Sequence, residues 1–356
     1  MRPRILIAAF LLIGIVLGTA SLWQDDIGEW IYARGVKRQM PVDVVAGLDD
    51  GLHVALCGTG SPMPDTSRMG PCTAVIAGKR MFVVDMGSGA SRNFNPMGIK
   101  SGKTEAVLLT HFHSDHIGGL GDFLIQRWAN SGASTPLPVY GPPGTKSIVD
   151  ATNSLMERDR DYRVKHHGNL MPKSGFGGTA VTFEPDANGI AKLIDDGDLT
   201  ITAFTVDHGG INPAVGYRFD YKGRSVVISG DTSQSTHLEK VAADADILVH
   251  ETLNPDMIDA MSAGFKATDR DRLATIFQQI KAIHTTSVEA AESASRANVR
   301  MLILSHLIPP APSSFLDRYF SRGTSDVFSG EIIVGHDGML FSLVPGGKDI
   351  QLDKLL

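Results

Sequence analysis

Short apolar runs that end abruptly at polar residues recur along this chain. Residues 52–57, 107–109, 199–206, 215–221, 224–228, 247–249 and 301–304 are strand-length runs rich in Val, Ile, Leu and aromatic residues. Hairpins are predicted where 73–77 and 81–84 flank Gly78-Lys79, and where 215–221 and 224–228 flank Lys222-Gly223. Residues 331–334 and 339–344 predict a terminal hairpin that closes the domain. Helical spacing appears at 122–128, at about 145–158 and over most of 269–298, where His284-Thr285-Thr286-Ser287 supplies a start signal. Residues 159–198 keep no period and predict an irregular cover, with Arg158, Arg160, Arg163, His166 and His167 in or beside it. Periodicity alone defines a mixed α/β domain.

The N-terminus departs from this pattern. Arg2 and Arg4 precede sixteen uncharged residues, 5–20, and Ser21-Leu22-Trp23 prolongs the run to nineteen. A positive flank before an apolar run is an export signal, either cleaved or retained as an anchor, and the interfacial residue Trp23 favours the anchor. The expected organisation is a signal or transmembrane segment (1–23), a connector (24–50), a hydrolase domain (51–346) and a tail (347–356). The protein is then exported, periplasmic or outward-facing, and held at the membrane by its N-terminal segment. Cys57 and Cys72 are the only cysteines and can pair in an exported protein, although Cys57 also suits a small buried side chain at a strand end.

Composition changes the picture less. Hydrophobic content of 42% and charged content of 20% are those of a globular protein. The net charge of −6, with no basic run beyond the first residues, counts against a surface that neutralises many phosphates.

The chemistry concentrates at strand ends. After the apolar run 107–109 comes His111-Phe112-His113-Ser114-Asp115-His116, three imidazoles and a carboxylate within six residues. That is a ligand set for a borderline metal, zinc first. A tight turn cannot aim four ligands at one ion, so two ions sharing the turn is the easier geometry. His208, Asp231, His250 and His306 each end an apolar run in the same way, and Asp85 ends the run 81–84. Strand ends on one edge of a sheet can meet at a common site.

His-x-His-x-Asp-His after an apolar strand resembles the signature of the metallo-β-lactamase superfamily. The resemblance implies an α+β, four-layer αββα fold and a dinuclear zinc hydrolase. It assigns His111, His113 and His208 to one Zn²⁺, Asp115, His116 and His306 to the second, and Asp231 as the bridge. Asp115 is counted as catalytic as well as liganding, and Asp85 orients a liganding histidine. The two ions lower the pKa of a shared water, so hydroxide is available to attack an ester at neutral pH. His250-Glu251-Thr252 resembles the His-Glu-x-Thr element of the ribonuclease-Z-like branch. It implies that His250 stabilises the transition state or protonates the leaving oxygen, with Glu251 as a supporting carboxylate.

Residues 57–62, 70–74, 111–119, 139–144, 162–168, 217–221 and 229–232 are together similar to the zinc-dependent arylsulfatase subfamily. This implies a small anionic sulfate ester as substrate and no nucleic acid. Only 22 residues separate His208 from Asp231, where bacterial ribonuclease Z inserts a tRNA-gripping arm. The alternatives are a phosphodiesterase of ribonuclease Z type and a non-catalytic zinc-binding protein. A homodimer is left open.

Overall fold

The computed structural model describes residues 23–40, 42–311 and 313–356. The apolar stretch 5–20, expected as signal or anchor, lies outside the described residues. Among those described, no helix is long and apolar enough to cross a membrane. The chain divides into two units, residues 1–43 and 44–356. In the first, the helix Gln24–Gln39 carries Asp25 and Asp26 in its first turn and Lys37 and Arg38 in its last, complementing the helix dipole.

The second unit starts earlier than the expected boundary at residue 51. Val45 is buried with the core residues Ile76 and Met81, and the Lys79 ammonium binds the carbonyls of Val45, Ala46 and Leu48. Its first strands are β1 (Leu52–Gly58), β2 (Cys72–Ala77), β3 (Arg80–Val84), β4 (Thr104–Leu108), β5 (Leu137–Gly141) and β6 (Gly178–Thr182). The next are β7 (Ile190–Asp196), β8 (Leu199–Thr205), β9 (Val215–Tyr221), β10 (Arg224–Ile228) and β11 (Ile247–Leu253). The last are β12 (Met301–Ile308), β13 (Glu331–Val334), β14 (Met339–Leu343) and β15 (Gln351–Lys354). They form an eight-stranded sheet ordered β15-β14-β1-β2-β3-β4-β5-β6 and a seven-stranded sheet ordered β13-β12-β11-β10-β9-β8-β7.

Alternation along these strands explains the layering. Val54, Val75 and Phe82 of the first sheet and Ile201, Phe219 and Val249 of the second share one core between the sheets. The opposite faces carry Ile76, Val83 and Val107 against Phe123 and Val149 of helices, and Val227, Leu248 and Leu302 against Leu238 and Ala290 of others. The result is the α+β fold of two sheets flanked by helices.

Several expectations change. The terminal hairpin is not one, because β13 pairs with β12 in the second sheet while β14 pairs with β1 in the first. Local sequence shows two strands and a turn but not which sheet each joins. The tail contributes β15, antiparallel to β14. The irregular cover contains β6, β7 and the helix Glu157–His167, which buries no residue. A helix without an apolar stripe leaves no periodic signal; here Arg163–Asp159 and Arg160–Glu157 pairs line its surface. The two internal hairpins and the Thr286 capping box with Glu289 form as expected. Cys57 and Cys72 are joined in a disulfide between neighbouring strands, with Cα atoms 5.0 Å apart.

One contact between the sheets bears directly on the site. The buried Tyr217 hydroxyl on β9 donates to the carbonyl of Leu109, two residues before His111, at 2.6 Å. Tyr217→Phe is expected to leave that carbonyl without its donor and to lower stability by about 1–3 kcal/mol in equilibrium denaturation. A change under a few tenths would show that the bond carries no weight.

Candidate metal centre

The turn after β4 sorts its residues into two groups. His111 and His113 lie on extended chain, whereas Ser114–Ile117 closes a helical turn that carries Asp115 and His116. His208 and Asp231 arrive from the second sheet, Asp231 just after β10. His306 sits within β12 at an irregularity. Glu251 pairs with Ser305 and Thr252 with Leu307, so His306 is the extra residue of a β-bulge, in left-handed conformation at φ 48°. Such a bulge re-aims a side chain that regular alternation would direct elsewhere.

The nitrogens and oxygens converge closely. His111, His113, His208 and Asp231 form one group, and Asp115, His116 and His306 form another; within each, one atom per residue lies within 4.8 Å of the others. Asp231 Oδ2 is common to both. It lies 3.3 Å from His116 Nε2, 3.4 Å from His306 Nε2, 3.8 Å from His111 Nε2 and 3.9 Å from His208 Nε2. In the second group Asp115 Oδ2 is 3.1 Å from His306 Nε2 and 3.4 Å from His116 Nε2.

Hydrogen bonds outside the cluster fix these rings. Asp85, at positive φ after β3, accepts from the Thr110 amide and hydroxyl at 2.8 Å each and lies 2.7 Å from His116 Nδ1. His208 Nδ1 donates to the Ile283 carbonyl at 2.9 Å, which turns Nε2 inward. Burial, then the neighbouring His116, pushes His111 down to about 2, so it is a neutral imidazole. Burial opposes ionisation of Asp115, but the hydrogen bond with His306 and the charge of His116 hold it down to about 2. Asp231 is held well below the usual carboxylate range by His116 and His306 despite its burial.

The donor set fits metal ions. The facing nitrogens His111 Nε2 and His113 Nδ1 are 3.0 Å apart. His116 Nε2 and Asp231 Oδ1 are buried without a hydrogen-bond partner. Buried polar atoms are rarely left so, and a coordinated cation satisfies them.

His250 is not part of this convergence. Along β11, Ile247 and Val249 face the core between the sheets and Leu248 faces the helices, so His250 points to the helix side and Glu251 toward the metal cluster. His250 is fully buried, its Nδ1 lies 2.6 Å from the Glu251 carbonyl, and burial lowers its pKa. The place expected for it is taken by His284, which sequence reading treated only as part of a helix start. Its ring lies 5.0 Å from that of His208 and stacks 5.7 Å from that of His306. Its Nδ1 is 3.1 Å from Glu251 Oε1, which also accepts from the Thr232 and Thr285 amides at 3.1 Å. Burial disfavours a charge on His284, but Glu251 outweighs it and raises the group to about 9. A histidine between the apolar Ile283 and a helix cap was the available signal.

These features define a metal-dependent hydrolase acting on ester bonds. A family model described as a beta-lactamase superfamily domain matches residues 80–307. Ribonuclease Z of Mycobacterium bovis (strain BCG / Pasteur 1173P2) is 36% identical over 291 residues, spanning 80% of this chain and 96% of its own length. The chain belongs to the metallo-β-lactamase superfamily and, within it, to the family of ribonuclease Z. The metallo-beta-lactamase fold protein YhfI from Bacillus subtilis shares the fold, with TM-score 0.61 and 21% identity over 83% of this chain and all of its own. Human tRNase Z, short form, does so with TM-score 0.58 and 20% identity over 83% of this chain and all of its own.

The ribonuclease Z relatives overturn two expectations, the arylsulfatase-type activity on a small sulfate ester and the exclusion of nucleic acid. The physical reason is that metal ions held by such imidazoles and carboxylates would polarise sulfuryl and phosphoryl oxygens alike, so the ligand motifs do not report the ester. Net charge averages the whole surface and says little about one cleft.

His250→Ala is expected to lower stability by about 1–3 kcal/mol through its lost hydrogen bond. Turnover by the folded fraction should stay within about threefold, far from the 10²–10⁴-fold contribution of a general acid. A loss of that size with normal stability would return His250 to the chemistry.

Proposed function

We propose that this protein is a dinuclear zinc phosphodiesterase that cleaves RNA in the manner of ribonuclease Z. The observation that carries the reading is the likeness to ribonuclease Z over nearly the whole length of that enzyme, joined to a cluster whose donors suit two ions. His111, His113 and His208 would hold one zinc, Asp115, His116 and His306 the other, and Asp231 both. Neutral imidazoles and carboxylates are the donors zinc prefers, and a shared carboxylate reduces repulsion between two cations. When bound, the ions supply Lewis acidity toward the phosphoryl oxygens and a hydrolytic water acidified to near-neutral pKa.

The protein groups do the rest. Asp85 holds His116 through Nδ1, and the Ile283 carbonyl holds His208. Glu251 keeps the Nδ1 proton of His284 and orients its ring, leaving Nε2 facing the cluster. His284 is thus placed to protonate the leaving ribose oxygen as the new phosphorus–oxygen bond forms, the general-acid role.

The N-terminus supports export with a retained membrane anchor. Arg2 and Arg4 before an apolar run favour it, and so does the Cys57–Cys72 disulfide, a bond characteristic of oxidising compartments. A reporter fused behind residues 1–30 is expected to leave the cytoplasm and sediment with membranes; retention as soluble cytoplasmic protein would refute this.

Metal analysis of the purified protein should approach two zinc per chain, and Asp231→Ala should lose metal from both positions. A single tightly held ion, with His306 dispensable, would sink the dinuclear assignment. Zinc-loaded protein is expected to cleave single-stranded RNA, and chelation to abolish it. His284→Ala should retain both metals while lowering kcat about 10²–10⁴-fold, with Glu251→Gln lowering it in the same direction. Turnover of an aryl phosphodiester with no cleavage of any RNA would overturn the substrate.

A further inference from the structure

An apolar cavity adjoins the cleft that contains Asp115, sharing Met63 and Pro64 with it, and has no part in the chemistry above. Its volume is about 470 Å³, and Met63, Met257, Met261, Phe265, Phe277 and Pro309 line it. That size lies within the range of roughly 300–1,000 Å³ typical of small-ligand pockets. Every side chain lining it is apolar. Three elements build it: the helices Pro255–Lys266 and Asp271–Gln279, and the loop after β1 that carries Met63 and Pro64. Phe277 and Met63 pack on the buried trio Leu253, Ile258 and Ile308, so the floor is anchored to β11 and β12.

The cavity and the cleft beside Asp115 share one wall. Met63 and Pro64 line it on one side, and on the other they line the cleft that contains Ser114 and Asp115. Pro309 follows His306 by three residues. The shared wall and the chain from His306 to Pro309 link the cavity to the cluster. The aromatic rings Phe265 and Phe277 stand 5.0 Å apart, and the Arg270 guanidinium lies 4.7 Å over the Phe265 ring. Lys266, Arg270 and Arg272 are exposed on the turn between the two helices, along with Asp269 and Asp271.

These features discriminate between parts of a substrate. The phosphate is anionic and cannot enter an apolar pocket without a large desolvation cost. A nucleobase has two apolar faces that stack on aromatic and thioether side chains, and cations at the rim suit the flanking backbone. The lining offers no donor or acceptor to read a base edge. We propose that this cavity receives the nucleobase next to the scissile phosphodiester of a single-stranded RNA, by stacking and without selecting its identity. The inference rests on the RNA phosphodiesterase reading. It also supplies a grip for the substrate in a chain whose His208–Asp231 interval holds only the β9–β10 hairpin.

The test is steady-state kinetics of the full-length, zinc-loaded protein on a short single-stranded RNA. Versions with an abasic nucleotide on either side of the cleaved bond are compared with all four bases at that position. Removing the base on one side should raise KM about tenfold, with kcat little changed, because base–aromatic stacking is sequence-tolerant and of that order. Phe277→Leu and Phe265→Leu keep apolar volume and should also raise KM on the intact RNA. Combined with the abasic RNA they should add little more, since both remove the same contact. Zinc content of each variant verifies folding. An abasic RNA cut with wild-type KM, or fully additive losses, would refute the pocket assignment. So would a hundredfold preference for one base, which would require edge reading. RNA cleavage indifferent to the base and to both phenylalanines would remove this inference alone, whereas absence of any RNA cleavage would remove the RNA reading and this one with it.

Discussion

Asp231 is a carboxylate with 3% exposure, and its Oδ2 lies within 4 Å of four imidazole nitrogens. A buried carboxylate is costly unless positive charge and donors surround it. That requirement brings the turn after β4, the His208 loop and the β12 bulge to one point, from both sheets. Metal ions held there would meet the same requirement as cations, with the imidazoles as neutral ligands. The site and the junction of the two sheets are therefore one structure.

A rigid surround keeps that convergence in register. The Thr110 carbonyl accepts from the Val215 amide, and the Leu109 carbonyl accepts from Tyr217, so the metal-binding turn of the first sheet is bonded to the first strand of the β9–β10 hairpin in the second. Asp85 ties β3 to Thr110 and His116. Glu251 ties β11 to Thr232, His284 and Thr285. Two carboxylates thus brace the cluster: Asp85 gives Oδ1 to the Thr110 amide and Oδ2 to His116, and Glu251 gives Oε1 to two amides and to His284. Positional precision of this kind is what separates a catalytic constellation from a patch of metal-binding side chains.

The substrate correction shows where motif reading stops. Ligand residues are set by the needs of the metal, which are the same for every ester the ions can polarise. Substrate choice lies in the walls, and here those walls come from the loop carrying Met63 and from two helices between Glu251 and His284. Their residues carry no motif of their own. The likeness to ribonuclease Z over most of the chain, rather than any motif, is what overturns the small sulfate ester.

By itself the sequence determined most of the strands, the two internal hairpins, the Thr286 cap and the placement of His111, His208 and Asp231 just beyond strand ends. Those features depend on period and on residues near in the chain, so local pattern carries them. The tertiary structure alone decided that β13 and β14 join different sheets, that residues 351–354 form a strand, and that the mostly polar segment 157–167 is helical. It alone chose between His250 and His284 as the histidine at the cluster. Both follow apolar residues, but alternation along β11 turns His250 to the helices, while His284, from a loop, meets Glu251. A one-residue change in facing separates the two, and only packing of distant segments sets which face looks at the cluster.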